Sequence, residues 1–291
     1  MPDLLAPFDY GYMIKAMWVS ALVGATCAFL SCFLMLKGWS LIGDALGHSV
    51  VPGVALAYML KLPFSLGAFV AGGLAALAMA FVRAQTALRE DAVIGLVFTG
   101  FFAGGLLLVS IYPTSVNVQS IVLGNILAIS DWDAMQVVII SAVTLGVLLL
   151  VWRDLVAVFF DEAHARSIGI HPTRLKVLFF TLLAAATVAA LQTVGACLVI
   201  AMVVTPGATA YLLTDRFSVL LTLAVVVGAA TSAVGAYLSY FIDGATGGVI
   251  VTLQTLVFLA AFLFAPKHGM LAARRKAAAA ATQTEPSVET S

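Results

Sequence analysis

Residues Ser40 to Leu56 read SLIGDALGHSVVPGVAL. Asp44 and His48 stand four positions apart, and Pro52 follows four positions later, in surroundings that are otherwise apolar or small. Positions i and i+4 share one face of a helix, with Cβ atoms about 6 Å apart. An ionisable side chain inside a bilayer costs on the order of 2.5–3.5 kcal/mol, so two on one face point to a shared task. Carboxylate oxygen and imidazole nitrogen suit a divalent first-row metal such as manganese, iron or zinc. The same pair also suits a proton relay or a structural clasp between helices, and Asp44 lies close enough to the start of a helix near Leu41 to be reached by water. Spacing alone leaves these readings open. Pro52 removes the helical partner of the His48 carbonyl and clashes with it. The expected helix break then offers that oxygen beside the two side chains, as broken transporter helices do. Gly43, Gly47 and Gly53 keep the surroundings small. Two side chains do not fill a tetrahedral or octahedral shell, so other helices or a second protomer must supply the remainder.

The rest of the chain explains why these residues are conspicuous. Of 291 residues, 63% are hydrophobic and 10% charged, and the mean hydropathy is +1.11. Soluble domains carry about 25% charged residues. The chain therefore reads as an all-α polytopic membrane protein. Lys and Arg balance Asp and Glu at 14 each, which gives no footprint for nucleic acid. Cys27, Cys32 and Cys197 lie in apolar runs without a CxxC pair and read as small packing residues. The N-terminus carries Asp3 and Asp9, lacks a basic n-region, and leads into an apolar stretch from Met13 to Leu36. That stretch is too long for a signal-peptide core and reads as a retained first helix.

Nine segments meet the requirement of about 20 apolar residues: 12–36, 41–60, 63–82, 92–112, 134–152, 177–194, 196–213, 217–242 and 248–265. The break between the sixth and seventh, Thr193-Val194-Gly195-Ala196, is short and uncharged. One long kinked helix there would lower the count to eight. With nine, Lys37, Arg83 and Arg89, the group Arg153, Arg166, Arg174 and Lys176, then Arg216, and finally Arg274, Arg275 and Lys276 all fall on one side. The excess of basic residues marks the cytoplasm. The N-terminus is then outside and the C-terminus inside, with Lys15 and Lys61 on the outer face. Residues 1–265 read as one transmembrane domain, and 266–291 as a disordered cytoplasmic tail. Residues 113–133 lie outside and suit a short helix dipping into the membrane. Gly100-Phe101-Phe102-Ala103-Gly104, and Gly228, Ala229, Ala230, Ser232 and Gly235, are helix-packing stripes.

No phosphate-binding GxxxxGK[ST] and no catalytic set occurs, so the chain reads as no enzyme. ATP-driven transport through it needs a separate ATPase chain and a docking element. The loop 153–176 is the sizeable polar cytoplasmic segment. Within it FFDEAHARSIGIHPTRL, Phe159 to Leu175, predicts a short helix. Asp161 is its N-cap, Glu162 sits at its positive start, and Gly169 and Pro172 end it. Displayed on its surface, Phe159, Phe160, Ala163, Ala165 and Ile168 suit insertion into a partner's groove or contact with lipid. His164 and His171 read as surface histidines.

Residues 12–270 resemble the membrane permeases of metal-ion ABC importers for manganese, iron or zinc. SLIGDALGHSVVPGVAL matches the family's Asp-Ala-x-x-His pattern with a following Pro-Gly, with Gly47 where many members carry Ser. FFDEAHARSIGIHPTRL resembles its ATPase-coupling loop, and TVGACLVIAMVVTPGATAYLLTDR, Thr193 to Arg216, its Thr-Pro segment. LREDAVIGLVFTGFFAGGLLLVS and TSVNVQSIVLGNILAIS are most similar to the bacterial manganese/iron type. The resemblance implies a type II ABC importer fold in a bacterial inner membrane. Its partners are an ATP-binding cassette subunit, an extracytoplasmic metal-binding protein, and a second permease that is either a copy or a related subunit, all within membrane lipid. Asp44 and His48 are then metal-contacting residues, with the His48 carbonyl at the Pro52 break as a further contact. Asp161, Glu162, Ala163, Arg166 and Gly169 belong to the coupling element. No permanently bound cofactor is implied; Mn²⁺ or Fe²⁺ is the cargo. The alternatives are a zinc permease of the same family and a proton-coupled secondary carrier.

Overall fold

A computed structural model describes residues 5–112 and 126–265. The expected external segment is outside these residues over 113–125, as is the tail 266–291. Eleven α-helices run through the described residues: α1 Gly11–Lys37, α2 Ser40–Ser49, α3 Val51–Met59, α4 Phe64–Gln85, α5 Glu90–Ile111, α6 Asp131–Phe160, α7 Glu162–Ser167, α8 Pro172–Val194, α9 Ala196–Leu213, α10 Phe217–Ile242 and α11 Thr246–Phe264. Seven of them are long and apolar enough to cross a membrane, and the shorter apolar stretches Ala45–Met59 and Ala201–Leu213 fill the two remaining places. The nine expected segments are thus all helical.

Their ends follow local chemistry. α1 stops at Gly38, whose φ of 69° lets its N–H reach back to the Leu34 and Met35 carbonyls. The second expected segment is two helices hinged at Val50, with Pro52 in the first turn of α3. At Gly195 φ is 86° and ψ 164°. No L-residue takes that backbone cheaply, so α8 and α9 are separate helices and not one kinked rod. α6 is longer than the expected 134–152 at both ends. Ser130 caps its start by accepting from the Asp133 N–H at 3.1 Å, and Lys15 pairs with Asp131 at 2.7 Å across the same end. At the other end the helix continues through Arg153 and Asp154 to Phe160. Charges at a membrane boundary are hydrated and do not stop a helix; the cap at Asp161 does.

α1 is the centre of the bundle. Its most apolar window is 78% buried, against 17% for α5. It packs against α6, α8, α9 and α10. Gly24 meets Gly228 and Ser232 of α10 with no room for a Cβ. Without water to drive apolar association in a bilayer, such close approach supplies much of the attraction. Only part of the expected α10 stripe serves this contact, Gly228 and Ser232; Gly235 is turned instead to Ile250 of α11, and Ala230 is exposed. The Gly100–Gly104 pair of α5 packs on nothing among the described residues, since a Cβ at either would find no atom within 4 Å there.

α9 carries Pro206 in its interior. Ser31 of α1 bridges the disrupted turn: its hydroxyl donates to the Val204 carbonyl at 3.0 Å and accepts from the Gly207 N–H at 2.9 Å. The Thr-Pro segment is therefore seated on the central helix.

Candidate metal-binding and coupling site

Asp44 and His48 lie on α2, one turn apart. The helix is enclosed by α5, α9, α4 and α8. His48 is half-buried. Its ring lies 5.4 Å from that of Phe98 and 5.5 Å from that of Phe102, and these two α5 rings stack on each other. The aromatic pair fixes the imidazole plane about one turn along the helix from Asp44. Gly43, beside Asp44, backs onto Val203: a Cβ there would approach Val203 Cγ1 to 3.1 Å. α9 thus supports the site helix from behind.

The hinge is equally tight. The Val50 N–H turns to the His48 carbonyl, and the Val54 N–H takes up the Val50 carbonyl at 3.0 Å to restart the helix. A Cβ on Gly105 of α5 would fall 2.8 Å from the Pro52 nitrogen. Gly53 of α3 and Gly67 of α4 face each other so closely that a Cβ on either would overlap the other's carbonyl oxygen. Asp44, His48 and Pro52 are thereby brought onto one hinged segment. Among the described residues no three His, Cys, Asp or Glu side chains come together.

At the basic end of the bundle, α7 has the expected caps. Asp161 accepts from the Ala163 N–H at 2.8 Å and the His164 N–H at 3.1 Å. These bonds, His164's first, hold its carboxyl below the usual carboxylate range. Gly169 adopts φ 84°, its N–H bonding Arg166 O at 3.1 Å while that of Ile170 bonds Ala165 O at 3.0 Å. Glu162 is ion-paired with Lys176 of α8, and Arg166 lies 3.8 Å away. The Lys176 bond lowers the Glu162 pKa, with further help from the charges of Lys37 and Arg166.

The displayed face differs from expectation. Phe160, Ala163 and Ile168 are exposed, but Phe159 and Ala165 are buried. Phe159 turns inward to an aromatic cluster that the sequence did not reveal. It meets Phe33 of α1 edge-on at 5.7 Å, Phe179 of α8 at 5.0 Å and Trp39 at 5.5 Å. Trp39 is the residue from which α2 starts. A packed aromatic contact therefore joins the residue two before the Asp161 cap to the helix that carries Asp44 and His48. Close-packed interiors pass displacement on instead of absorbing it. His164 and His171 are exposed, as expected.

Replacing Asp161 by Ala is expected to destabilise α7 by about 1 kcal/mol, from loss of the cap, while Asp161→Asn keeps it; amide hydrogen exchange at Ala163 and His164 reads the difference. Both lowered carboxyls, Asp161 and Glu162, contribute fully when ionised. Their contribution persists above about pH 4 and is lost as pH falls through their lowered values.

The profile of the ABC 3 transport family matches residues 9–265. The chain is 71% identical to the chelated iron transport system membrane protein YfeC of Yersinia pestis, over 93% of this chain and 92% of that protein. It is 50% identical to the manganese transport system membrane protein MntB of Synechocystis sp., over 92% and 88% respectively. Among solved structures, PsaBC from Streptococcus pneumoniae in complex with Fab superimposes with a TM-score of 0.84 at 32% identity, covering 94% of this chain and 100% of that one. The family profile spans nearly the whole chain and the relatives share half or more of its residues over most of their length, so the chain belongs to the ABC 3 transport family.

Proposed function

We propose that the protein is the permease subunit of an ATP-driven importer whose cargo is Mn²⁺ or Fe²⁺, with Asp44 and His48 as the residues that touch the metal. The observation that carries this reading is the half-buried His48, held by Phe98 and Phe102 one helical turn from Asp44 at a proline hinge, in a chain of this family. The relatives above are named for iron and manganese transport, which favours these metals over zinc. Family membership replaces the secondary-carrier alternative.

In this reading Asp44 gives carboxylate oxygen, His48 gives neutral imidazole, and the His48 carbonyl lies at hand at the hinge. A second permease, identical or related, supplies its own pair across the shared axis. An extracytoplasmic metal-binding protein delivers the ion, and a separate ATPase chain docks on α7 through Phe160, Ala163 and Ile168, with Asp161, Glu162, Arg166 and Gly169 holding the helix in shape. The chain sits in a bacterial inner membrane, its N-terminus outside and its C-terminus cytoplasmic. ATP-driven closure of the ATPases shifts α7, and the Phe159–Trp39 contact conveys that shift to α2 as a rigid-body movement.

The test is uptake of radiolabelled manganese and iron by metal-starved cells expressing the full transporter, with each metal and zinc as unlabelled competitor. Mn²⁺ and Fe²⁺ are expected to compete with each other well below the zinc concentration that inhibits. Preferential zinc uptake would overturn the cargo assignment.

A further inference from the structure

Behind the coupling helix lies a cavity of about 680 Å³, bounded by α2, α4, α5, α7 and α8. Its lining includes the buried Leu46 and Ile94 and the half-buried Met79 and Phe180, together with the charged Glu162, Arg166 and Lys176; Arg166, exposed at 67%, sets the charged side at the mouth. Leu46 is two residues from both Asp44 and His48, which places it about half a turn around α2. The cavity is therefore on the far side of α2 from the metal pair. Its volume is in the range of small-ligand sites, about 300–1,000 Å³.

We propose that this cavity holds one anionic phospholipid, with an acyl chain in the apolar depth and the phosphate on Lys176 and Arg166. Charge favours an anion. Lys37, Arg166 and Lys176 all act on the one carboxylate of Glu162, and an ammonium has three donors, of which the Glu162 bond uses one. Position favours a lipid over a soluble phosphate. The rim residues Ala80 and Val177 are exposed, and Ala80 adjoins Phe81, which is 66% exposed on the outer surface of α4. An acyl chain can pass sideways from the bilayer, and the basic mouth lies where headgroups lie. The occupant would wedge α7 and α8 against α2, so the lipid is part of the coupling path.

The test is native mass spectrometry of the intact permease–ATPase complex released from nanodiscs of phosphatidylcholine and phosphatidylglycerol. The wild type is expected to retain one phosphatidylglycerol in preference to phosphatidylcholine. Lys176→Gln is expected to lower that preference about fivefold, and Lys176→Arg to keep it. Ala80→Phe, on the exposed rim, fills the entrance and is expected to remove both lipids. Equal retention of the two lipids by the wild type, or undiminished retention by both Lys176→Gln and Ala80→Phe, would overturn the proposal. Displacement by millimolar inorganic phosphate would overturn it in favour of a free anion. Bound mass needs no transport, so this outcome is independent of the metal assignment.

Discussion

Cells carrying His48→Ala are expected to accumulate manganese and iron at the level of cells without the permease, a loss of at least about a hundredfold. Residues that merely orient a metal ligand cost 10–100-fold when removed, and His48 is placed as the ligand itself. In a paired permease built from two copies, one substitution removes two ligands. Asp44→Ala is expected to be as severe, because one imidazole per subunit leaves most of the coordination shell to water. Folding is not expected to be at issue. His48 is only half-buried, and its neighbours Phe98 and Phe102 stack on each other. The measurement is metal accumulation by mass spectrometry, normalised to membrane-inserted protein, alongside ATPase activity of the purified complex. Normal accumulation by both variants would remove Asp44 and His48 from the transport path.

The second large effect is predicted for a residue with no side chain. Gly53→Leu is expected to leave little or no folded permease in the membrane. Even the Cβ of alanine at Gly53 would overlap the Gly67 carbonyl oxygen and the Ala71 methyl. Close packing has no slack for such an intrusion, and α3 would have to move off α4, dragging the Pro52 hinge from Gly105. Gly53→Ala is accordingly expected to lower the unfolding temperature of the detergent-solubilised protein by several degrees. Gly73→Ala and Gly100→Ala are the controls, because a Cβ at either position meets nothing within 4 Å. Those two should match the wild type or slightly exceed it, since alanine is the better helix former. Equal stability of Gly53→Leu and Gly100→Ala would refute the close α3–α4 crossing.

Much of this arrangement is written locally in the chain. Apolar length placed the nine segments, and the limits of α9 and α10 agree with the expected ones to the residue. Pro52, Asp161 and Gly169 announce hinge, cap and stop because each acts on backbone within a few residues of itself, whereas the sequence around Gly195 leaves open one kinked helix or two. What was illegible depends on partners distant in sequence. Nothing in FFDEAHARSIGIHPTRL tells that Phe159 and Ala165 turn inward, because the rings that receive Phe159 come from residues 33, 39 and 179. Ser31 looks like any small residue of a membrane helix until the Pro206 turn, far along the chain, brings it the Val204 carbonyl and the Gly207 N–H. The overrun of α6 misled for another reason: Arg153 and Asp154 resemble a helix end by composition, yet the physical stop is the cap at Asp161. The pair Asp44 and His48 was legible as chemistry, and its aromatic clamp on α5 was not.

The central position of α1 has a consequence for how the protein is made. α1 leaves the ribosome long before its chief partner, α10. At roughly 5–20 residues per second, the stretch from Lys37 to Phe217 takes on the order of 10–40 s to synthesise. During that interval the Gly24 face is bordered by lipid or by the insertion machinery. Neither offers the backbone contact that Gly228 later makes. A nascent chain halted short of Phe217 would therefore hold its core helix against α6, α8 and α9, with the Gly24 face still open.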